Sequence, residues 1–410
     1  MTRILLLIPT TSYRAEDFLD AARDFGVDVV VGSDQRPVLE HIAPGRSLWV
    51  NMADPERGAL EAEAFAREYP FDAVVPVDDV GALLAARAAA RLGLPHNPFE
   101  AVEATRDKSL LRQRLEAGGL LSPPYLVLPL ASDPAAGAAR APYPCVLKPL
   151  GLSASRGVIR ADNEAEFVVA FARIRALLTD PAIAADCGPT ADRVLVEGFV
   201  PGIEVAVEGL LTDGRLITLA IFDKPDPLEG PYFEETIYVT PSRLSEAQQR
   251  TVIEATARSA QALGLVDGPI HAELRVNEDG AWPIDVAARS IGGLCARTLS
   301  FGTGMSLEEI ILRHATRSPI PTFDRESTAA GVMMLPIPAA GTLRKIEGVV
   351  EAEAVPGIES VTMSLRVGDR VVPLPEGGDY LGFMFARAET PAEVEDALRR
   401  AHALLRFTIE

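Results

Sequence analysis

The chain has 410 residues, more than one compact domain usually holds, so we expect two or three domains of about 150 residues each. Its 39 basic and 58 acidic residues give a formal net charge of −19. Such a surface repels the phosphates of nucleic acids and anionic membranes, which excludes both as expected partners. With 48% hydrophobic and 24% charged residues, the composition is that of a folded globular protein.

Cysteine usage and apolar runs restrict the class of protein further. Cys145, Cys187 and Cys295 lie far apart without a CxxC pair, which excludes a disulfide scaffold and a zinc finger. The first apolar run, 4–8, is too short for a secretory signal, and no run approaches the ~20 residues of a membrane span. We therefore expect a cytoplasmic protein with reduced thiols.

The first hundred residues alternate strand and helix. The predicted strands are 4–8, 27–31 and 73–77, and the predicted helices are 15–25 and 80–92. Apolar strands separated by helices indicate a parallel sheet. Ser33 and Asp34 follow the second strand, and Asp78 and Asp79 follow the later one, where open α/β sheets bind ligands. No GxGxxG motif is present, so a nicotinamide cofactor has no support.

A boundary near residue 100 is followed by a change of pattern. One helix is expected to end at Gly118-Gly119, and the last helix begins with a capping box at Thr390 and Glu393. A hairpin turn is expected at Asp213-Gly214. The other expected elements are strands 145–148 and 158–160, helix 164–178, antiparallel strands 194–197, 204–210 and 216–222, helix 244–263, and a hairpin of strands 270–276 and 282–286.

Lys148 ends an apolar strand, and a loop of small residues follows it. A lysine at such a position either reaches water or binds an anion. The loop 151–157, which contains Ser155 and Arg156, could cover a phosphate, or it could be an ordinary hairpin turn. The loop is one glycine short of the GxSxG motif, and a strand is expected after it where that motif needs a helix, so we reject a serine hydrolase.

Carboxylates in the last predicted hairpin suggest a cation site. Strand alternation places His271, Glu273 and Arg275 on one face, and Asp285 shares a face with Arg289 if its strand continues. If the two strands pair, Glu273 and Asp285 approach each other and could hold Mg²⁺ between them. The alternative is a solvated hairpin face with incidental charges.

The connection from Glu197 to Glu204 is the other candidate. Its exposed backbone could hydrogen-bond a purine edge while Glu204 binds ribose hydroxyls, or it could be a plain reverse turn.

Taken in order and at these spacings, the motifs resemble the ATP-grasp superfamily. The matching residues are Asp107-Lys108, 146–149 with 155–158, 196–204, His271-x-Glu273, and Asp285-x-x-x-Arg289 with Gly292-Gly293. The resemblance implies an ATP-grasp fold, α/β and then α+β. It implies a parallel α/β domain at 1–100, an ATP-grasp domain at 101–322 with a lid at about 124–208, and a C-terminal domain at 323–410 similar to that of L-amino acid ligases.

The resemblance also assigns roles to residues, with Lys148 and Arg289 as the catalytic ones. Lys108 and Lys148 would bind ATP phosphates, and the loop through Ser155 and Gly157 would close over them. Glu197, with the backbone of Phe199 and Val200, would read the adenine, and Glu204 would bind the ribose. Glu273 and Asp285 would hold Mg²⁺ or Mn²⁺. Arg289 would face an acyl-phosphate, and Glu235, His271, Gly292 and Gly293 would complete the substrate site.

The implied reaction is the ATP-dependent joining of a small carboxylate and an amine, both expected to be amino acids, with release of ADP and phosphate. Two departures leave questions open: Ala287 replaces an asparagine expected beside the metal, and Tyr238 replaces a substrate-loop histidine. Glu235 and His271 both remain candidates for the general base. The alternatives are a biotin-carboxylase-like or purine-pathway carboxylase and a non-catalytic nucleotide-binding protein. The related architecture is compatible with a homodimer.

Overall fold

The structure is a computed structural model that describes residues 2–10, 12–35 and 45–410. It confirms the predicted parallel sheet, whose strand order is β3-β2-β1-β4. The elements are β1 (Arg3–Leu7), α1 (Ala15–Phe25), β2 (Asp28–Ser33), β3 (Ser47–Trp49), α2 (Pro55–Ala66), β4 (Ala73–Pro76) and α3 (Asp79–Leu92). In β1, Ile4 and Leu6 pack towards α1, and Leu5 and Leu7 pack towards α2 and α3. Both faces of β1 are therefore covered, which is why its sequence is apolar throughout.

Two helices, α4 (Phe99–Arg106) and α5 (Lys108–Ala117), follow where the sequence predicted one. The break falls at Asp107, whose carboxylate accepts hydrogen bonds from the backbone N–H groups of Ser109 and Leu110 and so caps α5. The cap fixes Lys108 at the first position of α5.

The expected lid contains a four-stranded antiparallel sheet of order β5-β8-β6-β7, with α7 packed on it. Its elements are β5 (Tyr125–Pro129), α6 (Pro134–Ala138), β6 (Cys145–Pro149), β7 (Ile159–Ala161), α7 (Glu164–Leu178), α8 (Pro181–Cys187) and β8 (Arg193–Gly198). The sequence grouped β8 with the two strands after it, which was wrong, because β8 pairs with β5 and β6. The chain leaves the lid at Gly202, where φ is +130° and a Cβ would lie 2.4 Å from the Val276 carbonyl oxygen. Glycine permits both the turn and the close approach.

Eight strands form the largest sheet, and every neighbouring pair in it is antiparallel. The order is β13-β12-β9-β10-β11-β16-β20-β18. Its first five strands and their neighbours are β9 (Ile203–Thr212), β10 (Arg215–Asp223), β11 (Ile237–Thr240), α9 (Glu246–Leu263), β12 (Gly268–Asn277), β13 (Gly280–Ala287), β14 (Ser300–Phe301), β15 (Met305–Ser306) and α10 (Leu307–Ala315). The predicted β12–β13 hairpin and the turn between β9 and β10 are confirmed.

The last part of the chain completes this sheet. Its elements are β16 (Ala329–Leu335), β17 (Gly341–Glu347), α11 (Val349–Glu353), β18 (Ile358–Met363), β19 (Arg370–Val371), β20 (Gly382–Ala388), α12 (Pro391–His402) and β21 (Arg406–Ile409). The predicted capping box of α12 is confirmed at Thr390 and Glu393. Because β16, β20 and β18 extend the sheet begun by β9 to β13, the last part is continuous with the middle of the molecule.

One hydrophobic cluster joins all three parts. It contains Phe18 of α1, Phe222 of β10, Leu312 of α10 and Phe383 of β20, each at most 1% exposed. In the described part of the chain, no helix has both the length and the apolar character needed to cross a bilayer.

Candidate active site

A cleft of about 370 Å³ lies between the lid and the eight-stranded sheet, and loops from the first and last parts of the chain also line it. Every residue that the sequence predicted for the site lines this cleft except Gly157. The residues brought together are Lys108, Lys148, Ser155, Glu197, Phe199, Val200, Glu204, Glu235, His271, Glu273, Asp285, Arg289, Gly292 and Gly293. Cations from the lid side and carboxylates from the sheet therefore share one cavity.

The loop after β6 lines the cleft through its serines rather than through its last glycine. Ser153 and Ser155 line the cavity. Gly157 has a φ of +73°, and its N–H donates to the Pro375 carbonyl at 2.7 Å. The structure thus corrects the placement of Gly157, which lies behind the loop because its backbone is bound to the last part of the chain.

Glu197 is buried on β8 and binds two cations. Its Oε2 lies 2.7 Å from Lys148 Nζ, and its Oε1 lies 2.6 Å from Arg112 Nε. Burial alone would raise the pKa of Glu197, but Arg112 and Lys148 outweigh burial and hold the pKa at about 2. Each carboxylate oxygen thus has one cationic partner, and the pairing positions Lys148. That the side chain of Glu197 also reads an adenine stays a prediction.

The connection between the lid and the sheet forms one end of the cleft. The Phe199 N–H donates to the Pro144 carbonyl at 2.7 Å, and the Val200 carbonyl accepts from Arg275 at 3.0 Å. The guanidinium groups of Arg160 and Arg275 lie 4.2 and 4.9 Å from the Phe199 ring centroid. The predicted backbone recognition of a base thus rests on the remaining groups, the Phe199 carbonyl and the Val200 N–H.

Lys224 directly follows β10 and lies among three carboxylates that line the cleft. Its Nζ is 2.9 Å from Glu204, 2.6 Å from Glu235 and 3.2 Å from Glu273. Oxygens of these three residues all lie within 4.8 Å of one another, a spacing that would suit a metal ion. In the structure the single positive charge of Lys224 lies among these oxygens.

This arrangement shifts the pKa values of its members in opposite directions. Burial lowers the pKa of Lys224, but the surrounding carboxylates outweigh it and raise that pKa well above its usual value. Burial, and then repulsion from Glu273, raises the pKa of Glu235. Burial also opposes the ionised form of Glu273, but Lys224 and His271 lower its pKa well below the usual value. Glu235 is therefore the carboxylate most ready to accept a proton near neutral pH.

His271 is held by Glu208, which faces it across the β9–β12 pair. Its Nδ1 lies 2.6 Å from Glu208, and its Nε2 lies 3.4 Å from Glu273. Burial lowers the pKa of His271, but hydrogen bonds to the two glutamates outweigh it and raise the pKa to about 9. Because the imidazole is charged at neutral pH, His271 is poorly suited to be a general base there.

Glu273 and Asp285 are direct partners in the register of β12 and β13, as the sequence predicted for a paired hairpin. The Asp285 carboxylate is the more open of the two, with 37% of the side chain exposed, and it lies 3.8 Å from Lys108 Nζ. Two carboxylate oxygens facing a cleft that also holds lysines are suitable ligands for Mg²⁺ carried by phosphate oxygens. The donor set therefore fits the implied metal.

Arg289 lies where the front sheet meets the cleft. Its guanidinium binds the Asp79 carboxylate at 2.9 Å, and Arg106 approaches the same carboxylate at 3.5 Å. Burial raises the pKa of Asp79, but these two arginines outweigh it and lower the pKa. The polar residues predicted at the carboxyl end of β4 thus hold a predicted catalytic side chain.

Sequence reasoning missed Arg112, Lys224 and Glu208. A signal for Lys224 was present: Lys224-Pro225 directly follows β10, and a similar Lys148-Pro149 pair ends β6. Arg112 and Glu208 gave no such signal, because their partners are 85 and 63 residues away in the chain.

Three segments match known domain families. Residues 19–96 match an ATP-grasp N-terminal domain, residues 141–298 an ATP-grasp domain, and residues 333–410 the L-amino acid ligase C-terminal domain 2. The chain is an ATP-grasp protein. Its sequence-based resemblance to this superfamily, and the expected fold, are thereby confirmed.

Individual relatives of this ATP-grasp protein are distant. It is 25% identical over 407 residues to uncharacterized protein y4rH of Sinorhizobium fredii, across 98% of the chain and 82% of the relative. It is 27% identical over 275 residues to the alanine–anticapsin ligase of Bacillus subtilis, across 63% of the chain and 57% of the ligase. The chain thus matches little more than half the length of that ligase.

The fold of the ATP-grasp protein is that of a solved L-amino acid ligase from Bacillus licheniformis. The two superpose with a TM-score of 0.81 over 100% of this chain and 99% of the other, at 24% identity. At this identity the likeness establishes the fold.

Proposed function

We propose that the protein is an ATP-dependent carboxylate–amine ligase that joins two amino acids or amino-acid-like units and releases ADP and phosphate. The observation that carries the proposal is the shared cleft, in which Lys108 and Lys148 face the carboxylates of Glu273 and Asp285. The L-amino acid ligase C-terminal domain match and the named ligase relative support the same class of reaction.

In this proposal the nucleotide lies between the lid and the sheet. Lys108 and Lys148 bind its phosphates, and Ser155 covers them. The Phe199 carbonyl and the Val200 N–H bind the base. Glu204, already fixed by Lys224 and Arg275 at 2.9 Å each, accepts the ribose hydroxyls.

Glu273 and Asp285 hold the divalent ion. When bound, Mg²⁺ neutralises charge on the phosphate oxygens, which is the main requirement of phosphoryl transfer. Lys108 and Lys148 add fixed positive charge to the cleft that would hold the transferring group.

The reaction has two steps. The substrate carboxylate attacks the γ-phosphorus of ATP, and ADP leaves, which gives an acyl-phosphate. The amine then attacks the acyl carbon, phosphate leaves, and the amine proton passes to a base. Glu235 is the proposed base because its carboxylate lines the cleft, whereas His271, the other candidate, is held between Glu208 and Glu273. Arg289 stabilises the oxyanion of the tetrahedral intermediate.

The decisive experiment is a screen of amino-acid pairs for phosphate release with ATP and Mg²⁺, followed by mass spectrometry of the product. We expect ADP and a condensed product. Lys148→Met should lower turnover by about 10²- to 10³-fold through loss of one charged donor. Lys345→Met is the matched control, because that side chain is 61% exposed on β17.

Two results would overturn the proposal. Bicarbonate-dependent ADP release that needs no amine would identify a carboxylase. ATP binding without turnover on any substrate pair, unchanged in the Lys148→Met variant, would identify a non-catalytic nucleotide-binding protein.

A further inference from the structure

The cleft has two apolar ends separated by a charged band. The first end adjoins the lid connection and is taken by the base in the proposed function; it is lined by Val146, Phe199, Val200, Leu228 and Ile284. The second end lies beyond Glu235; it is lined by Tyr238, Cys295, Met334, Tyr380 and Phe383. The charged band between them contains Glu204, Glu235 and Glu273, the three carboxylates that surround Lys224. The nucleotide, as placed in the proposed function, does not occupy the second end.

The walls of the second end pack on one another. Cys295 Sγ lies 3.8 Å from Met334 Sδ, and the Tyr380 and Phe383 ring centroids are 6.1 Å apart. The Phe383 ring also meets Tyr13 edge-on at 5.7 Å. Met334 is 4% exposed and Phe383 is fully buried. The subsite is therefore a built apolar surface with fixed side chains rather than a loose surface patch.

Glycine gives this end its depth. A Cβ at Gly293 would lie 2.9 Å from the Phe383 ring. The chain after Arg289 therefore passes close to the ring, which brings the arginine and the apolar wall into one cavity. A ligand held at Arg289 thus has the apolar end within reach.

Glu235 borders the same end. Its Oε1 lies 2.6 Å from Lys224 Nζ, and that ammonium lies 5.1 Å from the centroid of the Tyr238 ring, which belongs to the wall. An amino acid whose ammonium group binds Glu235 can therefore place its side chain against the apolar wall of the second end.

Arg14 is a charged side chain that also lines this region, and its terminal nitrogens are engaged. Its NH2 donates to Glu308 at 2.6 Å and its NH1 to Ser290 at 2.8 Å. Its Nε is buried without a hydrogen-bond partner. A cationic ligand side chain would lose its hydration there without gaining an acceptor, which is strongly unfavourable.

We propose that the second end binds the side chain of the amino acid held at Glu235, and that this side chain is apolar and of medium size, in the class of leucine, methionine and phenylalanine. This inference rests on the proposed function and deepens it. Met334, at the centre of the wall, acts as a specificity-determining residue.

The test varies the amino acid that supplies the amine, one at a time with a fixed carboxylate partner, by kcat/KM for ADP release, and measures the binding of each separately by calorimetry. The wild-type protein should use leucine about 10- to 100-fold better than aspartate or lysine. Met334→Gln, which is close in volume but polar, should lower kcat/KM for leucine about 10-fold or more. The KM for ATP should stay unchanged. Val350→Gln, at a position that is 76% exposed on α11, is the control.

A more drastic variant, Met334→Lys, should abolish leucine binding while an ATP-dependent thermal shift reports that the protein is folded. Equal use of aspartate, lysine and leucine would overturn the subsite and leave the ligase intact. Leucine binding that Met334→Gln weakens, without ADP release from any pair, would uphold the subsite and overturn the ligase. Leucine use that is unchanged in both Met334 variants would overturn the subsite.

Discussion

Individual side chains in the cleft are held by buried ion pairs, and Glu197 is the clearest case. One of its oxygens pairs with Arg112 and the other with Lys148. Removing one partner of such a group leaves uncompensated charge in the interior. Glu197 should therefore matter for stability as well as for nucleotide binding.

We predict that Glu197→Gln lowers the free energy of unfolding by about 3 kcal/mol at pH 7, the order expected when a buried pair loses a partner. The folded-state pKa of about 2 lies below the usual 4.5, so this contribution is present above pH 4.5 and is lost as the pH falls towards 2. In urea unfolding, the difference in unfolding free energy between the wild type and Glu197→Gln should fall by more than half between pH 7 and pH 3.

The control for this measurement is Glu246→Gln, since that side chain is 92% exposed. It should change the unfolding free energy by a few tenths of a kcal/mol at most. A Glu197→Gln deficit that is the same at pH 3 and pH 7 would contradict the prediction.

Lys224 makes a second test at the same scale. Lys224→Met leaves Glu204, Glu235 and Glu273 without their shared ammonium. The variant should bind Mn²⁺ in the absence of nucleotide more tightly than the wild type, and turnover should fall about 10²-fold or more. Titration calorimetry measures the first effect and ADP release the second.

Lys224→Arg keeps the charge and should keep the weak metal binding of the wild type, although its geometry differs. If Lys224→Met and the wild type bind Mn²⁺ equally in the absence of nucleotide, the ammonium does not take the place of a cation in this cluster.

At the scale of elements, the lid is fastened to the last part of the chain. Arg173 of α7 binds the Glu376 carboxylate through Nε and, at 2.8 Å, through NH2, and it also binds the Tyr232 hydroxyl. Arg156 donates to the Glu376 carbonyl at 2.8 Å. Glu376 therefore connects the loop 151–157 with α7, and Arg173 extends the contact to Tyr232 in the segment between β10 and β11.

We predict that Glu376→Ala speeds amide exchange in residues 151–158 by up to about fivefold, because a half-exposed ion pair contributes up to about 1 kcal/mol. The KM for ATP should rise by a similar factor. Glu359→Ala, which removes an exposed pair with Arg387 in the same part of the chain, should leave both unchanged. Equally slow amide exchange of residues 151–158 in Glu376→Ala and Glu359→Ala would show that the lid closes without the Glu376 contact.

The fold was largely predictable from sequence because buried strands and capped helices leave local patterns. The limits of α1 and α7 were predicted correctly, since their apolar spacing and flanking residues mark both ends. β3 was missed because it is three half-buried residues long, whereas α2 was missed although Asp54-Pro55 is a start signal.

The site was predictable only in part. Motif spacing predicts which residues line the cleft. It does not predict which other side chains those residues contact. Glu197 and Arg112 meet because β8 lies against β6 and α5, a pairing that the sequence grouped differently. The roles of single side chains therefore had to come from the three-dimensional arrangement.

At the scale of the whole molecule, the three parts of the chain share one core, and the buried Arg14–Glu308 pair joins α1 to α10 across 294 residues. The lid has a separate apolar cluster under α7. The first part and the sheet should therefore lose structure together, while the lid is able to open on its own. The predicted homodimer and the cytoplasmic location stay predictions.

We predict that Arg14→Met destabilises β1 and α10 together by about 3 kcal/mol or more, since it leaves Glu308 buried without its cation. Hydrogen exchange should rise in both elements, with α7 unchanged. Arg23→Met, at a position that is 74% exposed on the same helix, should change neither element. Faster exchange in β1 alone would indicate that the first part unfolds independently.

The continuity of the eight-stranded sheet has a consequence for building chimaeras. Exchanging residues 323–410 with those of a relative would replace Met334, Tyr380 and Phe383 but leave Tyr238 on β11 with the host. If the proposed subsite is correct, substrate preference would then follow the donor of residues 323–410. The residues proposed to bind ATP would remain those of the host. Because β11 and β16 share a ladder of four register pairs, a graft that carries β11 along should assemble better than one cut between these two strands.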